Sequence, residues 1–366
     1  MKPVFKLKAH TGSVLCCEFP TASPDSVISS SEDGSVRVFD LRSKGCVVTL
    51  NISSGDAVTS ICLKNGDSSQ LYCAAGNTVH SFDIRLGSSG RELQKYDHNT
   101  DEINQVALNR NATYMAAADD SGEIKIIDLN NNKLYKTLRG VHTNICSAVQ
   151  FHPQKPWEVI SGGLDSKIVK WDISKGRQLK IVDPDILSSN SVGQMCNPPF
   201  VHALATHGDS SGEMGRLLAV ARGDGAVEVY DLGFQSETPT KVKGLKSGRS
   251  TTTNADGERK ELALKSGLQC RLSADNGGHL TAVSSVTFAR FGERGRYLLS
   301  GGNDGLIKLW DWASSNFEGT MAVEGAPLTL SIHHGKKINW LSTIDNNRVN
   351  IAVADTSKVL SLYHVL

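Results

Sequence analysis

The sequence predicts an all-β fold, a single ring of seven four-stranded sheets. Three observations carry that expectation. Short strands that end in an aromatic or aliphatic residue followed by Asp recur at Phe39-Asp40, Phe82-Asp83, Ile127-Asp128, Trp171-Asp172, Tyr230-Asp231 and Trp310-Asp311, and Tyr363 fits without its Asp. The first four are spaced by 43, 45 and 44 residues. Each ends a pair of β-patterned runs around a tight polar turn, which is a hairpin signal. A further strand lies upstream, often after a His, and another downstream. Four strands about every 44 residues is the pattern of a β-propeller blade.

The units can be taken in order. Unit one reads "HTGSVLCCEF" from His10, then "VISSSEDGSVRVFD" over 27–40, then "CVVTL". Unit two is shortened to "AAGNTVHSFD" and lacks the upstream His. Unit three opens on His98 but has Ala117 and Ser121 where a Ser and an Asp stand in unit one. Unit four, "HTNICSAVQF" from His142 and "VISGGLDSKIVKWD", is among the most regular. Unit five keeps only Asp224 of the recurrent polar positions. Unit six repeats the regular pattern as "HLTAVSSVTF" from His279 and "LLSGGNDGLIKLWD". Unit seven opens on His334, with Val353 and Ser357 at the other two places. The N-terminal "VFKLKAH" resembles a fourth strand, while the chain ends on a third, "VLSLYHVL". The first strand should therefore complete the last blade, which removes both sheet edges.

Residues 1–366 thus form one domain, interrupted by insertions. The segment 233–266 is rich in Ser, Thr, Gly and Lys and reads as a flexible loop between the third and fourth strands of unit five. Around it, from Lys241 to Arg271, eight Lys/Arg face three Asp/Glu. Such a patch suits nuclear import or an anionic partner, or is simply a solvated loop. Shorter irregular stretches lie at 183–200 and around 313–326.

Composition narrows the function classes. The net charge of +1 gives no global field towards nucleic acid or membrane. Eight cysteines show no CxxC pair and no zinc-ligand spacing with His. They sit mostly in apolar strand patterns, where a thiol serves as a small hydrophobe. There is no apolar signal segment and no run long enough to span a bilayer. The expectation is a reduced, intracellular protein, cytoplasmic or nuclear, without cofactor or metal. Nucleophile elbow, phosphate loop and HExxH are all lacking, so no catalytic residue is expected. The pair His333-His334 has no Cys or carboxylate at ligand spacing. Acidic pairs such as Asp119-Asp120 fit turn chemistry. With 6% aromatic residues, mostly at strand positions, stacking on nucleic-acid bases is a weak reading.

The Trp-Asp dipeptides, Gly278-His279 and the S-x-G-x-x-D spacing together resemble the WD-repeat family, and the resemblance covers nearly the whole chain. It implies a hydrogen-bonded lock in each regular blade. By position this is His142, Ser161, Asp165 and Trp171 in unit four, and His279, Ser300, Asp304 and Trp310 in unit six. Unit one offers His10, Ser29, Asp33 and Phe39, and Phe lacks the ring N–H. The resemblance also implies a non-catalytic module that binds proteins, acting as one member of a larger complex.

A second motif stands apart from the lock. "Asp40-Leu-Arg42" and "Asp83-Ile-Arg85" close the third strands of two consecutive units. They are similar to the double Asp-x-Arg signature of WD-repeat substrate receptors in cullin-RING (cullin-4 type) ubiquitin ligases. That similarity implies docking to the damaged-DNA-binding adaptor protein of those ligases, with Asp40, Arg42, Asp83 and Arg85 as contacts. Phe39 departs from the Trp or Tyr usual in that signature. The bland alternative is an arginine that pairs with its own strand-end Asp. The alternative function is a propeller scaffold in a chromatin or RNA-processing complex, with no ligase role.

Overall fold

A computed structural model describes residues 1–8, 10–52, 54–64, 69–85, 89–182, 197–207, 214–233, 267–293, 295–313 and 328–365. The expected flexible loop at 233–266 lies, from 234 on, outside the described residues, as do most of 183–200 and 313–326.

The described strands form seven separate antiparallel sheets of four. Blade 7 begins the chain with β1 (Phe5–Lys8). Blade 1 holds β2 (Val14–Glu18), β3 (Ser26–Ser31), β4 (Ser35–Asp40) and β5 (Gly45–Asn51). Blade 2 holds β6 (Val58–Leu63), β7 (Gln70–Ala75), β8 (Thr78–Asp83) and β9 (Arg91–Tyr96). Blade 3 follows with β10 (Ile103–Leu108), β11 (Tyr114–Asp119), β12 (Ile124–Asp128) and β13 (Lys133–Leu138). Blade 4 has β14 (Cys146–Phe151), β15 (Glu158–Gly163), β16 (Ile168–Asp172) and β17 (Arg177–Val182). Blade 5 has β18 (Val201–Thr206), β19 (Leu217–Arg222), β20 (Val227–Asp231) and β21 (Leu268–Leu272). Blade 6 has β22 (Val283–Phe288), β23 (Tyr297–Gly302), β24 (Leu306–Asp311) and β25 (Leu328–His333). The last three strands, β26 (Ile338–Thr343), β27 (Ile351–Asp355) and β28 (Val359–Tyr363), return to blade 7.

Closure is as the sequence predicts. β1 pairs antiparallel with β28, Phe5 opposite Leu362 and Lys8 opposite Val359. Each four-stranded sheet has two largely apolar faces, and it buries them by stacking on its neighbours. The core is accordingly seven clusters, one in each gap between adjacent blades. The closing gap gathers Leu7 with Val14, Phe19 and Phe39 of blade 1 and Ala352, Leu360 and Leu362 of blade 7.

This stacking explains the strand patterns. Second strands are covered on both faces, so β15 and β19 are buried throughout. They read as continuous apolar or small-residue runs instead of alternating ones. Outermost strands splay apart, and five of the six residues of β9 are exposed. Cys46 sits on such a strand and is exposed, so the core-packing role expected for the cysteines does not extend to it, whereas the half-buried Cys62 and Cys270 pack against core clusters.

A polar stitch also joins the innermost strands. The second residue of a first strand reaches the carbonyl that opens the next blade: Asn104 to Cys146 at 3.3 Å, Asn339 to Val14 at 2.9 Å, and likewise Thr59 to Ile103, Ser147 to Val201 and Ser284 to Ile338. These carbonyls would otherwise lack partners at the blade boundary.

Candidate functional site

Antiparallel strands alternate direction, so the ring has two rims. One carries the loops entering each blade and the turns between second and third strands. It holds the lock histidines. The other carries the turns leaving the first and third strands, and it holds Arg42 and Arg85.

On the histidine rim, blade 4 assembles the full lock. His142 Nε2 lies 2.7 Å from Ser161 Oγ, its Nδ1 lies 3.0 Å from Asp165, and the Trp171 ring N–H donates to Ser161 Oγ at 2.8 Å. Blade 6 repeats it with His279, Ser300, Asp304 and Trp310 at 2.8, 3.0 and 2.9 Å. Blade 1 brings His10 to Ser29 at 2.7 Å and to Asp33 at 3.2 Å, and Phe39 packs beside them without a donor. Burial alone would raise the Asp33 carboxyl. The Ser35 hydroxyl, the Thr11 N–H and His10 outweigh it and hold the group well below the usual carboxylate range. Burial pushes His10 down against the pull of Asp33.

Two of the irregular blades, 3 and 7, are locked too, by pairings that sequence reasoning missed. In blade 3 the loop residue in the histidine place is Asn99, not His98. Asn99 Nδ2 donates to Asp119 Oδ2 at 2.8 Å, and Asp119, fully buried at the end of β11, also closes the expected turn by accepting from the Ser121 N–H at 3.1 Å. In blade 7 His334 binds Asp355 at 2.6 Å and the Tyr363 hydroxyl at 2.7 Å, so this histidine does have a carboxylate partner. Both aspartates stand two residues before the expected position, at 121 and 357. They stand at the strand end instead of in the turn that follows, so a search for the spacing would have found them had it allowed a two-residue slip.

Blade 5 replaces the lock with charge. Arg222 Nε donates to Glu228 at 2.9 Å, and both are buried. The Tyr230 hydroxyl donates to Glu228 at 2.8 Å, and Arg271 binds both Asp224 and Glu228. Burial would raise Glu228, but Arg222 and Arg271 outweigh it and keep it lowered. Among the described residues blade 2 has neither arrangement; His80 of β8 pairs with Glu92 at 2.7 Å instead.

On the opposite rim every strand-end aspartate from blade 1 to blade 6 is bonded. In blades 1 to 5 it accepts from the backbone N–H two residues on, at 2.7–2.9 Å. This is a side-chain-closed turn, general to the fold. What differs is the cation. Blades 5 and 6 bring in Arg216 and Arg296 from the preceding turn, onto Asp231 and Asp311, and both side chains are about a third exposed. Blades 1 and 2 carry the arginine in the strand-end turn itself. Arg42 clasps Asp40 through Nε at 3.2 Å and an Nη at 3.1 Å; Arg85 clasps Asp83 at 3.2 and 2.9 Å. These hydrogen bonds hold both aspartates below their ordinary range. Each arginine therefore does pair with its own strand-end aspartate, but the arginine side chains remain 65 and 66% exposed. Trp157, half exposed in the turn between β14 and β15, lies on the same rim.

The central channel offers less. Its cavity is about 220 Å³, lined by first-strand residues, with Glu18 and Arg290 paired across it at 3.4 Å. Among the described residues no group of three or more His, Cys, Asp or Glu converges as a metal site, and no helix is long and apolar enough to cross a membrane.

Comparison with known proteins agrees with this geometry. The WD domain, G-beta repeat family (WD40) matches residues 1–40, 90–128, 132–172 and 270–311. The chain is a WD-repeat β-propeller. The matched segments include the first, third, fourth and sixth strand-end motifs, and the blades between them fold alike. A WD repeat-containing protein 53 homolog from Dictyostelium discoideum is 27% identical over 98% of this chain and 94% of its own length. WD repeat-containing protein ATCSA-1 from Arabidopsis thaliana is 25% identical over 84% of this chain and 69% of its own. THO complex subunit 3, also from Arabidopsis thaliana, is 29% identical over 46% of this chain and 51% of its own. As a WD-repeat propeller, the chain is a protein-interaction module.

Proposed function

We propose that this propeller is a non-catalytic substrate receptor that docks to the damaged-DNA-binding adaptor of a cullin-4-type ubiquitin ligase. The observation that carries the reading is the equivalence of Arg42 and Arg85. They lie on adjacent blades and one rim, with the same clasp and nearly the same exposure. A bidentate clasp orders a guanidinium in advance, and the exposed side chain can still meet a partner's carboxylates or carbonyls. Neither arginine belongs to a lock, so fold stability does not account for the pair. The narrow channel with its internal ion pair favours contacts through the rim over contacts through the centre. We place the protein in the cytoplasm or nucleus; the seven cysteines described are all free thiols, which suits a reducing compartment.

Affinity purification of the wild type and of the Arg42→Ala/Arg85→Ala variant tests the docking. The adaptor should be recovered with the wild type and be depleted with the variant. Absence from the wild type, or equal recovery with both, would sink it.

A second reading is a scaffold in another assembly, chromatin-directed or RNA-processing. The similarity to a protein named as a THO complex subunit favours it. In that case the arginine variant keeps its partners, and deletion of 240–262 reduces nuclear accumulation or partner recovery.

A further inference from the structure

Away from both arginines, a cleft of about 590 Å³ opens on the side of the ring between blades 6 and 7. Its cause is the splay of the outermost strands. β1 turns Leu7 inward against blade 1, and by strand alternation Lys6 and Lys8 then face the other way, towards blade 6. Lys2 and Lys336 complete the lining cations, with His333 on the far wall. All four lysines are exposed, and among the described residues none is in an ion pair. The single lining carboxylate, Asp355, is buried and already accepts from His334 and from the Ser357 N–H. The floor is formed by Ser357, Val359 and Ser361 of the β27–β28 hairpin.

We propose that this cleft docks an extended acidic peptide segment of a partner protein. Three features select that occupant. The charge is one-signed and unneutralised. Lys6 and Lys8 are held by the ladder to Ser361 and Val359, so their spacing is fixed at roughly 6.6–6.8 Å, that of alternate residues on a strand. An extended peptide with a carboxylate at every second residue has the same repeat. The site is also concave and of ligand-pocket size, which admits a chain and excludes a flat lipid surface. The floor hydroxyls can donate to peptide carbonyls or carboxylates. Docking here does not depend on Arg42 or Arg85 and leaves their rim uncovered.

The test is fluorescence anisotropy with a labelled glutamate–valine alternating peptide of about ten residues. Wild-type protein should bind it, and more weakly as salt rises from about 50 to about 300 mM. Lys6→Glu/Lys8→Glu should weaken binding by roughly tenfold or more, and Lys336→Glu should act in the same direction. Arg42→Ala/Arg85→Ala should bind as wild type does. The lysines are exposed, so thermal melts of these variants should match the wild type and exclude misfolding as the cause. The proposal is overturned if the wild type does not bind. It is equally overturned if reversal of Lys133 and Lys175, on other blades, weakens binding as much, or if the arginine variant loses it. Lysine-dependent capture of phosphatidylserine vesicles in place of the peptide would also overturn it.

Discussion

Blade 4 and blade 2 do the same architectural job with opposite means. Blade 4 has the full His142–Ser161–Asp165–Trp171 lock and ends its third strand on Asp172-Ile-Ser174, with no arginine. Blade 2 has Cys73 where blade 4 has Ser161, and no lock, yet it presents Arg85 on its outer rim. The difference separates two requirements. A blade is held by apolar gaps on either side, so its internal polar lock can be replaced or lost. The rim turn is free to vary because its aspartate alone closes it.

Breaking blade 4 should give the largest effect. Ser161→Ala leaves the His142 and Trp171 nitrogens buried without their partner, at about 2–4 kcal/mol. Cys73→Ala in blade 2 removes only packing, at about 1 kcal/mol. Denaturant melts of both variants check the contrast, and equal losses would erase it.

Acid should sharpen the comparison next. Burial pushes His152, beside β14 in blade 4, down to about 4 from 6.5, with Lys170 adding to the shift. The folded state keeps this ring neutral, so its contribution is full above pH 6.5 and is lost as pH falls towards 4. Between neutrality and about pH 5 the loss is about 2 kcal/mol. A thermal-melt series against pH should show the decline, and His152→Gln should flatten part of it. The lowered carboxyls of Asp33, Asp165, Asp304 and Asp355 act in the same sense but later, below the ordinary aspartate range, as each is protonated.

The smallest effect belongs to the rim. Arg42→Ala/Arg85→Ala should cause the smallest stability change of the series, too small to shift a denaturant midpoint clearly, because exposed ion pairs contribute little. A larger loss would return these arginines to an architectural role and weaken the case for an interface.

Much of this was legible beforehand because it is local and repeats. Trp171 and Trp310 mark strand ends, His142 and His279 mark entries, and their partners fall at fixed offsets. Asn99 was passed over because a histidine stands next to it, and only the fold shows which of the two points inward. Arg222 and Glu228 were invisible as a pair: each looks like a surface charge until β19 and β20 are covered on both faces and Arg271 arrives from across the insertion.

By itself the sequence determined the seven-unit repeat, the four strands of each unit, the closing role of Phe5–Lys8 and the two Asp-x-Arg turns. These follow from periodicity, from turn chemistry and from a terminal strand left without a partner. The tertiary structure alone decided which polar groups meet across a blade, how far Arg42 and Arg85 project, and that Lys6 and Lys8 face a cleft. Those are consequences of seven wedge-shaped sheets meeting tightly at the axis and parting at the edge, a geometry that exists only once the ring is closed.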